Sequence, residues 1–207
     1  MSWLETLRQA ALAAELAPKI DRFWFLRHGL TDANQKDIVQ GWLDTPLNSI
    51  GEGQVAAAAP ILAAQPISHI IASPLLRARR SAEIVASITG HAPIRFSDDL
   101  RERSAGRYEG EAAAGRHFWE LADASAETLE QFVERVVRGL NAVLTEGAPL
   151  VVAHGGIRRV MFAAFGIEDT HFGNAIPLEF TRLGTGWVVE RLSADEGRDT
   201  QNLRGAV

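Results

Sequence analysis

Short apolar runs that stop at polar turns and lead into helical patterns set the architecture of this chain. Phe23-Trp24-Phe25-Leu26 closes on Arg27-His28-Gly29, Ile67 to Ala72 closes on Ser73-Pro74, and Leu150-Val151-Val152-Ala153 closes on His154-Gly155-Gly156. The first and third runs are apolar at consecutive positions rather than alternate ones, as in strands buried on both faces. Helical patterns intervene: Ser49 to Ala64, Pro74 to Ile88, and Glu127 to Leu144 with a stripe of Leu129, Phe132, Val133, Val136, Val137 and Leu140. A short strand is expected over Ile94 to Phe96, a helix following His154-Gly155-Gly156 through Phe165, and a closing hairpin of Phe180 to Leu183 and Gly186 to Leu192. Strands alternating with helices predict an α/β fold, a three-layer α/β/α sandwich around a mostly parallel sheet.

With no internal repeat or interdomain linker, the 207 residues are expected to form a single domain. An extra amphipathic helix at about residues 3–17 precedes the first strand and is read as packing on the domain surface. A polar tail from about 193 to 207 is expected to fray.

Composition removes whole classes of function. A formal charge of -5 argues against general nucleic-acid or membrane-surface binding, so any anion site must be a local concentration of arginine. The absence of cysteine excludes disulfides, thiolate metal ligands and a thiol nucleophile. No stretch reaches the roughly 18 apolar residues that cross a bilayer, and the first residues lack the pattern of a signal peptide. A soluble, cytoplasmic protein is expected.

Strand ends in open α/β sheets are where ligands bind, and here they carry two histidines and two arginines. Ser73 and Pro74 suit the N-cap and first position of a helix, which would place Arg77 in the first turn, where the positive helix end also favours an anion. His154 leads into small residues that let backbone amides approach a ligand. Glu102, in Leu100-Arg101-Glu102-Arg103, supplies a carboxylate. This set suits phosphoryl transfer. The transition state spreads charge over three oxygens, a neutral imidazole can accept the group, and a carboxylic acid can protonate the leaving oxygen. His28, His154 and Glu102 are also the ligand types of a two-His, one-carboxylate metal site, but two arginines in the same pocket would repel a dication.

At these residues the chain resembles the histidine phosphatase superfamily, which includes phosphoglycerate mutase-like enzymes. The similarity runs in order through Leu26-Arg27-His28-Gly29, Thr31, Asn34, Gln40-Gly41, Asp44, Pro46-Leu47, Gly51 and Gln54. It continues through Ser73-Pro74-Leu75 with Arg77-Ala78, Leu100-Arg101-Glu102 with Gly106 and Glu109-Gly110, and His154-Gly155-Gly156, over about residues 23 to 165. The resemblance implies that His28 is the phosphorylated nucleophile, that Arg27, Arg77 and His154 bind the phosphoryl oxygens, and that Glu102 is proton donor and then base. It places Asn34, Gln40 and Gly41 at the pocket mouth and Gly155 at the substrate, with no metal and no cofactor. Leu30 and Arg79-Arg80-Ser81 depart from the family pattern and bear on specificity rather than on these positions.

The function expected is a histidine acid phosphatase-like phosphomonoesterase acting on a small phosphorylated metabolite, with no nucleic-acid or membrane partner; a homodimer stays open. The alternatives are mutase-type transfer and a non-catalytic phosphate-ligand binder. Residues 103 to 153 hold five Arg against eight Asp plus Glu, little surplus charge for a second anion, which favours hydrolysis. Trp42 is a candidate substrate contact on the entrance loop, whereas Trp24 and Trp187 read as core. His69, His91 and His171 read as surface or satisfied groups. His117 does too, with a pocket-facing position as the minority reading. Arg79 and Arg80 read as a solvated helix face.

Overall fold

Strand β1 (Arg22–Arg27) lies between β4 (Pro149–Ala153) and β5 (Pro177–Leu183), parallel to the former and antiparallel to the latter. The computed structural model describes residues 2–90, 93–115, 117–121, 123–170 and 172–194, with the backbone of 203–204. The sheet has seven strands in the order β3-β2-β4-β1-β5-β6-β7, where β2 is His69–Ala72, β3 Ile94–Phe96, β6 Gly186–Arg191 and β7 Leu203–Arg204. Strands β1 to β4 are mutually parallel, and β5, β6 and β7 add successive antiparallel pairings, so only β5 and β7 oppose the common direction.

Successive side chains of a strand point to opposite faces, and here both faces are covered. Phe23, Phe25, Val151 and Ala153 enter one core with helices α1 (Trp3–Ala13), α5 (Leu129–Val143) and α6 (Gly155–Ala164). Trp24, Leu26, Leu150 and Val152 enter the other, against α3 (Ser49–Ala63) and α4 (Leu76–Thr89). The unbroken apolar runs follow from this sandwiching. The predicted α5 stripe is buried at Phe132, Val133, Val136, Val137 and Leu140, with Leu129 packed partly against it. Helix α1 packs on α5 and α6 through buried Leu7 and Ala11. Among the described residues no helix is long and apolar enough to cross a membrane.

Three local expectations change. The polar stretch after Gly29 contains a short helix, α2 (Asp32–Gln35), closed by a reciprocal Thr31–Asn34 capping box. Helix α4 starts two residues later than Pro74, so Ser73 is not its N-cap; Asp44 instead accepts the Leu76 N–H at 2.5 Å. The fraying expected of the tail falls on 195–202 and 205–207, outside the described residues, whereas Leu203 and Arg204 pair with Val189 and Val188.

Candidate active site

Parallel pairing of β1 with β4 sets Arg27 opposite Ala153, so the next residue of each strand, His28 and His154, emerges side by side. Their ring centroids are 5.2 Å apart. Pairing of β2 with β4 sets Ala72 opposite Val152 and brings Ser73 beside them, with its Oγ 2.8 Å from His154 Nε2. Three segments far apart in sequence thus end at one point because three adjacent strands end there.

His28 is 3% exposed, and its Nδ1 lies 2.7 Å from the Gly29 carbonyl oxygen. A carbonyl has no proton to give, so Nδ1 carries the hydrogen and Nε2 keeps the lone pair. Burial, then the Arg77 and Arg27 charges, hold the His28 pKa well below its usual value, so the ring is neutral at neutral pH. His154 is likewise pushed well down by burial and by Arg77. Asn174 Nδ2 donates to the His28 carbonyl at 3.0 Å, and the Gly29 N–H donates to Ser81 Oγ at 3.1 Å, fixing the turn from behind.

Arg77, 1% exposed, donates to the carbonyls of Leu43 and Gly41 at 2.9 and 2.8 Å. It therefore ties the Gly41 loop to the strand ends. Burial lowers its pKa to about 10, which leaves it charged. Arg27 is lowered for the same leading reason. Three buried nitrogens here have no hydrogen-bond partner: Arg27 Nε, Arg77 Nε and His154 Nδ1. Leaving such groups unpaired costs about 1–3 kcal/mol each unless a ligand pairs them.

Glu102 approaches from the irregular segment after β3, with one oxygen on each of two backbone amides: Oε2 on Gly156 N–H at 3.0 Å and Oε1 on Arg103 N–H at 2.9 Å. Its own carbonyl accepts from Trp42 Nε1 at 2.7 Å and Arg135 Nη2 at 3.2 Å. Arg103 is buried and donates to the carbonyls of Glu127, Phe118 and Leu121, so it braces the segment from inside.

Arg27, His28, Asn34, Gln40, Gly41, Arg77, Glu102 and Gly155 line one cavity of about 350 Å³. His154 is fully buried against His28 and is not on the cavity wall. Trp42 is off the wall too, and holds Glu102 instead of facing the cavity. His117 is on the wall, against its majority reading, because its segment folds back beneath Trp3, whose ring stacks on it at 4.8 Å. Arg80 pairs with Glu52 on the exposed α4 face, whereas Arg79 is half-buried over Phe96. His69 is satisfied by Ser68 at 2.8 Å; His91 and His171 lie outside the described residues. Trp24 and Trp187 are core. Among the described residues no three His, Asp or Glu side chains converge as a metal-ligand set.

Sequence reading missed Arg158 and Arg159, which also line the cavity, as well as Asn174 and Arg135. The arginine pair right after Ile157, in the first turns of the helix led by His154, was the available signal. Asn174 carries no local motif.

The sheet thus brings Arg27 and His28 to the wall of one cavity, with Arg77 of α4 beside them and His154 packed behind His28, on the fold of phosphoglycerate mutase-like proteins. The chain belongs to the histidine phosphatase superfamily (branch 1), whose family model matches residues 23–192. Agropine synthesis reductase of Rhizobium rhizogenes is 38% identical over 189 residues, which are 86% of this chain and 43% of that protein. The chain thus spans less than half of that relative. A mycobacterial glucosyl-3-phosphoglycerate phosphatase structure, in complex with VO3, matches with TM-score 0.70 and 27% identity, over 85% of this chain and all of the other. A phosphoglycerate mutase structure from Thermus thermophilus matches with TM-score 0.66 and 30% identity, over 84% of this chain and 99% of the other.

Proposed function

We propose that the protein is a metal-independent phosphomonoesterase that works through a phosphohistidine on His28. His28 Nε2 attacks phosphorus, the P–O bond to the leaving group breaks, and Glu102 gives that oxygen a proton. Glu102, now ionised, takes a proton from water. The resulting hydroxide attacks phosphorus, the P–N bond breaks, and orthophosphate leaves with His28 restored. Arg27 and Arg77 stabilise the charge on the transferring oxygens, and His154, buried off the cavity wall, backs the His28 ring at 5.2 Å.

One observation carries this reading. A neutral imidazole, locked through Nδ1 so that its nucleophilic nitrogen is free, stands beside two buried guanidinium groups each with an unpartnered Nε. A passive anion binder has no use for the locked lone pair or for Glu102. Hydrolysis is favoured over mutase transfer because residues 103–153 are net acidic, leaving little there to retain a second phosphate. The reductase activity in the Rhizobium relative's name is not carried to this chain.

The test is phosphate release from a panel of small phosphate esters in the presence of a chelator, with acid-quench trapping of a phosphoenzyme. Wild type should release phosphate and trap label on His28; His28→Ala should do neither. Release that persists in His28→Ala defeats the assigned nucleophile, and loss on chelation defeats the metal-independent chemistry.

A further inference from the structure

The cavity carries more positive charge than one phosphoryl group needs. Arg158 and Arg159, on the first turns of α6, line it as well. A β-carbon built on Gly155 would lie 3.6 Å from Arg27 Cζ and 4.0 Å from Arg159 Nη1, so the two guanidinium groups flank a single glycine. Behind them one carboxylate serves both: Asp169 Oδ1 is 3.0 Å from Arg158 Nη1 and Oδ2 is 2.9 Å from Arg159 Nε. Two cations on one anion leave about one positive charge uncompensated. Arg158 is 3% exposed, yet its Nε has no hydrogen-bond partner.

A purely structural ion pair accounts for this poorly. The partly exposed Arg159 alone would satisfy Asp169, and burying Arg158 beside it adds desolvation cost without a second counter-charge. The rings of Phe172 and Trp119, both on the cavity wall, pack against Arg158 and Arg159 at 5.4 and 5.5 Å. Two acids share the cavity wall with them, Asp37 and Glu102, and Glu102 is already bound by two amides.

We propose that Arg159, supported by Arg158, forms a second anion subsite that binds a carboxylate or second phosphate on the leaving part of the substrate. This rests on the phosphomonoesterase reading. The substrate class is then a small phosphate ester with a second negative group a few bonds from the first. Arg159 would set specificity, separately from the chemistry at His28. The negative balance of residues 103–153 does not bear on this subsite, because its cations come from α6.

Two ester pairs test it: 3-phosphoglycerate against glycerol 3-phosphate, which differ in one carboxylate, and fructose 1,6-bisphosphate against fructose 6-phosphate. For at least one pair, wild type should favour the doubly anionic member in kcat/KM by tenfold or more. That ratio should fall toward one in Arg159→Gln and recover in Arg159→Lys, and the pair that responds identifies the second group. Equal losses on both members, or no loss on either, overturn the proposal. If no ester is turned over the hydrolase reading fails, and calorimetric binding of the same pairs then decides the subsite: an Arg159-dependent preference supports it and its absence overturns it.

Discussion

Glu102 Oε2 accepts the Gly156 backbone N–H at 3.0 Å, which seats a carboxylate on the first turn of the helix that His154 leads. The positive helix end and the Arg103 amide hold both oxygens, while Trp42 and Arg135 hold the residue's own carbonyl. The side chain is therefore fixed in orientation from both sides before any substrate arrives.

Glu102→Gln loses the proton and, because its NH2 cannot accept, one of the two backbone amide bonds as well, so it is compared with Glu102→Asp. For alkyl phosphates kcat should fall about 10²–10⁴-fold, the usual worth of general acid–base catalysis. Phosphorylation by p-nitrophenyl phosphate, whose leaving group needs no proton, should fall far less when followed as burst kinetics. An equal loss on both substrates would remove Glu102 from the donor role.

Ser73→Ala removes the hydroxyl 2.8 Å from His154 Nε2 in a site closed to water. Stability should drop by about 1–3 kcal/mol, measured by urea denaturation, because a buried ring nitrogen loses its partner. Ser73→Thr, if its hydroxyl reaches the same nitrogen, should restore most of it. A neutral Ser73→Ala would mean that the contact contributes nothing.

Acid should weaken the fold through the two site histidines. Both folded-state pKa values lie well below the unfolded 6.5, so below that pH the unfolded chain binds protons that the folded one refuses. Their contribution is complete above pH 6.5 and is lost as pH falls, by about 1.4 kcal/mol per pH unit per histidine until the folded value is reached. Urea midpoints should fall between pH 7.5 and 5.5, and His28→Asn should flatten that slope. Midpoints that rise on acidification would contradict the burial of neutral rings.

Inorganic phosphate or vanadate should raise the melting temperature, since the anion pairs nitrogens of Arg27 and Arg77 that the protein leaves bare. At a hundredfold excess over Kd the gain is about 2.7 kcal/mol. Arg27→Met should abolish the shift, measured by scanning calorimetry. A shift of the same size in that variant would place the anion elsewhere.

Two glycines in helices should respond oppositely to alanine. At Gly156 a β-carbon would collide with Glu102 Oε1 and come within 2.8 Å of Trp119 and 2.9 Å of Phe132. Gly156→Ala should cost about 1–3 kcal/mol and reduce activity by displacing the carboxylate. At Gly53 in α3 nothing lies within 4 Å, so Gly53→Ala should stabilise by about 0.4–1 kcal/mol. The comparison needs only thermal denaturation of the two variants.

Much of the site was legible because its residues sit in local patterns. A strand that must be buried on both faces is apolar throughout, so the first polar residue marks its end, and Arg27 and His154 stand at such breaks. Arg77 was placed in a first helical turn, correctly, although the helix begins at Leu76 and Asp44 rather than Ser73 binds its first amide. The differences fall where long-range contact decides. Trp42 looked like a substrate contact but its indole is spent on the Glu102 carbonyl, and His117 turned out to be cavity wall because Trp3, more than a hundred residues earlier, stacks against it.

By itself the sequence determined the alternation of buried strands and amphipathic helices, the chemistry-bearing strand ends and the family, since each is written in contiguous residues. The tertiary structure decided what those ends meet. Strand order β2-β4-β1 sets Ser73, His154 and His28 in a row, burial keeps both rings neutral, and the turn of α6 adds Arg158 and Arg159 to the same cavity over a shared Asp169. Pairing across a sheet and loss of solvent depend on residues far apart in the chain, so no local pattern records them.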